Sequence, residues 1–446
     1  MSVPEAATAA VRRPRRALAT VVALVFIDLV GFGIIIPILP FYVRSFGVSD
    51  VAIGLLAASY AGMQFLFAPY LGQLSDRRGR RPVLMLSFLG SAMAWTAFGL
   101  SAEVSASLGL VAGLAVLFGS RMLAGAMGGN LSAANAYVAD ITPPERRAGA
   151  LGLLAASFSV GFIFGPALGG ALASDPAIAA ARAVLPDVVP ATVFSIPSFA
   201  AAALSLLALA GTALFLPEPE RARPAGERRR LVGQFVDAFG DPGLRGLVLA
   251  FFVVSVAFSG VIVMFIPFVA DVYGFDATDA ALLLTFVGVL GALNQGVVVG
   301  RLARVVSAPR LAMAGGVGLL VALGTLPFAP AVGGWLPAVG GPAWFTGELL
   351  ALLGVLTLMS VGNGLLNVSL STLVSLGATE ETQGTAFGVT QGAGSLGRTL
   401  GPPVMAALYV LARPSPFVVG AVLLVPVLAI LAGLARTEWA RASTAD

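Results

Sequence analysis

Residues 72–84 read GQLSDRRGRRPVL. One acid and four arginines crowd this turn, and apolar runs at 51–73 and 82–102 press against it on both sides. Each run is long enough to cross a hydrocarbon layer about 30 Å thick. In that layer the backbone must satisfy its own hydrogen bonds, so the runs are helices and 72–84 is the polar turn of a membrane hairpin.

The same alternation fills the 446-residue chain. Hydrophobic residues make up 58% and charged residues 11%, under half of the roughly 25% charged share of a soluble protein. A soluble helical protein would also need charged helix faces at a 3.6-residue period, and these are missing. The spans read 17–43, 51–73, 82–102, 108–138, 147–172 and 191–216, then 245–270, 279–300, 310–329, 345–375, 383–411 and 415–436. Residues 1–16 form a polar, arginine-ended N-terminus, and 437–446 a short tail. The first span is too long for a signal-peptide core and is read as a retained helix.

Arginine placement orients the spans. With the N-terminus inside, the cytoplasmic side holds Arg12, Arg13, Arg15, Arg16, Arg77, Arg78, Arg80, Arg81, Arg146 and Arg147. It also holds the cluster from Arg221 to Arg245, and Arg301, Arg304, Arg310, Arg436 and Arg441. The outer loops hold Arg44, Arg182 and Arg413. This bias is the positive-inside rule, and both termini are expected in the cytoplasm.

The long charged interruption at 217–244 divides the spans six and six, and reads as a solvated cytoplasmic linker between bundles 17–216 and 245–436. A repeat supports the division. Gly152, Gly161, Gly165 and Pro166 recur as Gly388, Gly397, Gly401 and Pro402, and Glu145 as Glu381, each displaced by 236 residues. Related half-repeats with a substrate bound between them are a transporter plan.

Composition also limits the chemistry. The sequence has no cysteine, histidine or lysine, which removes disulfides, thiolate chemistry and Cys/His metal sites. Proton coupling must fall on carboxylates. A phosphate-binding G-x-x-x-x-G-K-[ST] loop is missing, so ATP hydrolysis is excluded and an ion gradient is the expected energy source, with no cofactor. The all-arginine basic set reads as GC-rich codon usage and points to a bacterial or archaeal cell membrane.

The turn at 72–84 resembles the loop signature of the major facilitator superfamily, with Gly72, Asp76, Gly79, Arg80 and Arg81 at its G-x-x-x-D-x-x-G-R-R positions. The resemblance implies an all-α membrane fold of twelve helices in two six-helix bundles. It also implies a charge lock in which Asp76 and Arg80 act with Asp140. A worn copy, GRLAR at 300–304, lacks the acid, so the lock is expected to be asymmetric. GFIFGPALGG at 161–170, with Gly161, Gly165, Pro166, Gly169 and Gly170, resembles the fifth-helix motif of drug–proton antiporters; its other reading is close helix packing through small residues. FIDLVGFGIIIPILPFY at 26–42, RMLAG at 121–125 and AYVADITPPERR at 136–147 resemble the tetracycline-efflux branch. That branch carries further acids in its third and ninth helices. This chain has none there, which counts against tetracycline itself as substrate.

Sorted by depth, Asp28 is the one acid near mid-membrane, and Arg121 and Arg398 are the deep cations. Intramembrane ionisable groups are functional candidates by default. Asp28 is expected to carry and release a proton, with Arg121 on the fourth span as its partner. The two would then have to separate during the cycle, or else form a fixed brace. Arg398, at the position matching Phe162 in the repeat, either binds an anionic substrate group or satisfies backbone carbonyls. The tenth span carries Ser360, Asn363, Asn367 and Ser371 as one polar stripe. Gln64, Asn130, Asn135, Asn294 and Gln295 add neutral polar groups, and the seventh span adds Phe251, Phe252, Phe258, Met264 and Phe265.

Together these residues lead to a monomeric proton-coupled antiporter that exports small hydrophobic or amphipathic compounds by alternating access. Its expected partners are substrate, protons and lipid, with no nucleic acid. The competing expectation is a facilitator or proton symporter for a metabolite such as a sugar or organic anion.

Overall fold

The computed structural model describes residues 13–128, 130–219, 242–336, 345–377 and 383–443. Glu381 and most of the linker, 220–241, lie outside the described residues. Among those described, the chain is helical throughout, and eleven helices are long and apolar enough to cross a membrane.

The first part holds α1 (Pro14–Ile35), α2 (Leu39–Ser45), α3 (Val51–Arg78), α4 (Arg80–Leu108) and α5 (Leu110–Met127). It continues with α6 (Asn130–Ile141), α7 (Pro144–Ala173), α8 (Asp175–Val184) and α9 (Ser195–Phe215). The second part holds α10 (Pro242–Tyr273), α11 (Ala277–Leu293), α12 (Gly300–Leu302), α13 (Ala308–Thr325) and α14 (Ala329–Gly334). It ends with α15 (Gly347–Gly377), α16 (Gln383–Leu411) and α17 (Ser415–Ser443).

Several spans expected to be continuous are broken. The first splits into α1 and α2 at Pro37, whose ring and missing N–H disrupt a helix interior. The span 279–300 passes from α11 into a π-helical turn, Asn294–Val299, whereas α5 and α6 flank residue 129, which lies outside the described residues, and Leu110–Ile141 together form one candidate membrane span. In the ninth span a 3-10 turn at Leu326–Phe328, around Pro327, separates α13 from α14. The helix α8 lies between the fifth and sixth spans, where no element was expected.

Two compact units form. The first comprises Met1–Val48, Ser59–Glu227 and Val269–Gly288; the second comprises Ser49–Ala58, Arg228–Phe268 and Val289–Asp446. Two short segments thus join the unit opposite to their half of the sequence, and small residues let them do so. In the first unit, a Cβ at Gly170 would meet Ala281 at 2.7 Å, and one at Gly288 would meet the Phe162 carbonyl at 2.9 Å. In the second, Gly54 lies against Pro402 and Ala406.

The first unit's core joins Val21 and Leu24 of α1 to Phe88 of α4, Tyr137 and Val138 of α6, Leu154 of α7 and Ala208 of α9. Large apolar side chains such as Leu66, Leu214 and Val422 stay exposed, as lipid-facing residues do.

Candidate functional site

Close packing of α1 on α7 sets the geometry around Asp28. Gly161, Gly165 and Gly169 lie one turn apart on α7, and each meets α1 where a side chain would collide: Leu29 for Gly161, Gly33 for Gly165, and the Ile34 main chain for Gly169. Gly170 faces α11 instead, and Pro166 sits inside α7 against Gly33. The 161–170 motif therefore joins two interfaces of the first unit.

The second unit repeats the joint. Gly397 and Gly401 of α16 meet Phe252, Ser255 and Val256 of α10. Gly165 faces the Val30 carbonyl and Gly401 faces the Val256 carbonyl, so α1 maps onto α10 with a displacement of 226 residues. At that displacement Val254 occupies the position of Asp28. The deep acid belongs to one unit.

Asp28 is 8% exposed and lies about 20 Å along α1 from Pro14. Its Oδ1 accepts a hydrogen bond from Ser205 Oγ of α9 at 3.2 Å. Arg121 is 5% exposed and packs differently from the expected pairing. Its guanidinium carbon lies 4.7 Å from the Tyr60 ring centroid, 5.4 Å from Trp95 and 5.9 Å from Phe32. Among the described residues no ion pair joins Asp28 to Arg121, and Arg121 Nε and Nη1 are buried without a hydrogen-bond partner. Ring faces carry negative potential and hold a cation without a carboxylate.

The turn at 72–84 forms a compact network. Arg80 Nη1 bonds Asp76 Oδ1 (2.5 Å) and Ser75 Oγ (3.1 Å), while Arg80 Nε bonds Asp140 Oδ2 (3.0 Å). The lock residues are thus brought together within the first unit. Gly79 has φ +120, a conformation suited to glycine, and ends the turn where α4 begins. Glu218 completes the turn, accepting the main-chain N–H groups of Arg80 (2.7 Å) and Arg81 (2.8 Å). A carboxylate at a helix N-terminus is favoured by the helix dipole. Arg81 itself donates through Nη2 to the Ala213 carbonyl. Gly72 has open space where a Cβ would go, so no close contact requires glycine there.

The structure distributes the neutral polar candidates. Asn363, Asn367 and Arg398 line one cavity of about 510 Å³ in the second unit, with Ser255, Ser259, Phe258, Val254, Gly364, Val368 and Ser371. Asn294 is not part of that lining. It is buried, and its Nδ2 donates to the carbonyls of Ser360 (3.1 Å) and Val361 (3.4 Å), tying the π-helical turn to α15. In the first unit, Gln64 bonds the Gly128 carbonyl at 3.4 Å, and Asn135 is exposed. The side chains of Asn130 and Gln295 lie outside the described residues. Phe265 and Met264 are fully buried packing residues.

The model of the Major Facilitator Superfamily matches residues 21–402. The chain belongs to this superfamily. It is a multi-pass bacterial membrane transporter and not an enzyme. It is 30% identical to the class C tetracycline resistance protein of Escherichia coli over 446 residues, covering 97% of the chain and all of that protein. Multidrug resistance protein 1 of Bacillus subtilis (strain 168) is 31% identical over 291 residues, 63% of this chain and 65% of that one. Two solved structures share the transporter's fold. A bacterial homolog of the human lysosomal transporter Spinster, inward-facing and occupied, aligns with a TM-score of 0.73 at 18% identity, covering 96% of this chain and 98% of that one. The human organic anion transporter MFSD10 aligns with 0.61 at 24%, covering 94% and 99%.

Glu218, Ser205 and the ring cluster around Arg121 escaped the sequence reading. Glu218 looked like one charge in a solvated run, and no local spacing distinguishes a serine that meets Asp28 from 177 residues away.

Proposed function

We propose that this transporter exports small hydrophobic or amphipathic compounds, drugs among them, in exchange for protons by alternating access. It acts as a monomer with twelve spans and both termini in the cytoplasm. The drug-resistance relatives and the glycine joint of α1 with α7 support export, and the arginine bias supports the topology. A twelfth span is supported by α16, whose 29 residues are long enough to cross although Pro402, Pro403 and Arg398 lower its apolar character.

The observation that carries the coupling is the buried carboxyl of Asp28 on a helix clamped by α7. As a neutral acid it is cheap to hold there, whereas as a carboxylate it needs water or a donor such as Ser205. A group whose charge is admitted in one state and disfavoured in the other couples proton movement to the change of access. Arg121, held among rings, keeps a permanent positive charge in the same unit.

Inside-out vesicles test this reading. An imposed pH gradient, acid inside, should drive uptake of an amphipathic dye, and a protonophore should abolish it. Uptake equal with and without the gradient would favour a facilitator.

A further inference from the structure

A cavity of about 520 Å³ opens where α1 begins and α9 ends, on the side that the proposed topology places in the cytoplasm. Arg13, Arg16 and Arg81 line it, with Leu214, Phe215 and Pro217. The fold gathers them from three stretches of the first unit. Arg13 is the N-cap of α1, and Arg16 follows in the first turn. Arg81 stands in the first turn of α4, and its Nη2 donates to the Ala213 carbonyl near the end of α9. The Tyr137 hydroxyl fixes another part of the wall by donating to the Pro217 carbonyl at 2.8 Å.

The wall carries charge of one sign. Among its nine described lining residues there is no carboxylate, so three guanidinium groups set its formal charge. Glu218 follows the lining in sequence, but its two oxygens accept the main-chain N–H groups of Arg80 and Arg81 at the start of α4. The helix α1 adds to the positive field. Its first turn has neither an acid nor a side-chain cap, and a helix N-terminus favours anions. Beside the charges the wall is apolar and open. Leu214 is 74% exposed and Phe215 70%, at the end of a membrane helix.

We infer that this cavity binds an anionic phospholipid of the cytoplasmic leaflet. Arg13, Arg16 and Arg81 hold its phosphodiester, and its acyl chains lie along Leu214 and Phe215. Guanidinium forks match phosphate geometry, and basic clusters beside a membrane helix recognise anionic headgroups. A soluble phosphate would use the arginines and leave the two apolar side chains without a partner. A zwitterionic headgroup would bring a cation to a wall that has no carboxylate to receive it. The bound lipid also ties α1 to the turn at 72–84, because Arg81 belongs to that turn.

The test is native mass spectrometry of the purified, delipidated full chain in detergent, titrated with phosphatidylglycerol or phosphatidylcholine of the same acyl chains. Phosphatidylglycerol should bind about tenfold more tightly, and millimolar inorganic phosphate should not displace it. Arg13→Gln with Arg16→Gln should erase the preference, and Arg16→Gln alone should remove part of it. Arg146→Gln with Arg304→Gln removes two exposed arginines outside the lining and should keep it. Thermal melting without lipid checks that all variants fold. Equal affinity for the two lipids would overturn the inference and leave the cavity to an acidic segment of the chain. A preference that survives loss of Arg13 and Arg16, or one lost equally in the control variant, would overturn it as well. Displacement by inorganic phosphate would assign the cavity to a soluble anion instead. Binding in detergent needs no gradient, so its failure leaves the export reading intact, and failure of proton-driven uptake leaves the lipid site intact.

Discussion

Arg44 and Asp271 stand 227 residues apart in sequence and meet side by side, Nη1 to Oδ1 at 2.8 Å and Nη2 to Oδ2 at 2.9 Å. Both belong to the first unit, with Arg44 on α2 and Asp271 near the C-terminal end of α10. Under the proposed topology this pair lies at the outer surface, where alternating access must open and close. Two-pronged arginine–carboxylate pairs are the geometrically specific kind.

Each partner is about a quarter exposed or less, with relative areas of 26% and 21%, so screening keeps the pair's worth to about 1 kcal/mol, roughly a fivefold shift between two states. The chain has no cysteine, so Ile53→Cys gives a single label site at a fully buried position of α3. Arg44→Gln should raise its labelling by an impermeant maleimide several-fold. The swap Arg44→Asp with Asp271→Arg should restore the wild-type level. Labelling that ignores both changes would show that the pair holds nothing shut.

The glycines of α7 divide into required and permitted positions. A Cβ at Gly165 collides with Gly33, whereas one at Gly152 meets nothing within 4 Å. Gly165→Ala should cost about 1–3 kcal/mol through overpacking and lower both melting temperature and transport. Gly152→Ala should be neutral or slightly stabilising, since alanine favours a helix by about 1 kcal/mol over glycine. Equal behaviour of the two variants would remove the packing account of the motif.

Arg80 uses different nitrogens for Asp76 and Asp140, a division that lysine cannot copy. Arg80→Lys should fold and reach the membrane yet transport about tenfold more slowly, as one charge-assisted contact is lost. Glu218→Ala should act more mildly, costing the roughly 1 kcal/mol of stability of a helix cap, read as a lower melting temperature, and less so in high salt. Wild-type rates in Arg80→Lys would contradict a role for the three-residue network.

The parts of this structure legible in the sequence are those written in local or periodic signals. Long apolar runs and one-sided arginines set the spans, and the 236-residue recurrence of Gly161 and Gly165 anticipated two equivalent helix joints. The charge cluster was legible because Asp76 and Arg80 lie one turn apart across Gly79. What stayed hidden depends on distant segments meeting. The buried Arg121 reads as a partner for Asp28 until Tyr60, Trp95 and Phe32 are seen around it. Asn294 reads as a cavity group until its amide is seen bonded to the Ser360 carbonyl. The break at Pro37 was marked by the proline itself, but a membrane span tolerates proline often enough that the sequence alone does not decide between a kink and a stop.

Asp28 carries the account's central claim, that substrate movement is tied to a proton held by one buried carboxyl. The direct measurement is proton release from the purified, weakly buffered protein on addition of a transported compound, comparing wild type with Asp28→Asn. The account predicts release of protons by wild type and none by Asp28→Asn, with the variant still binding the compound. Undiminished release from Asp28→Asn would contradict it.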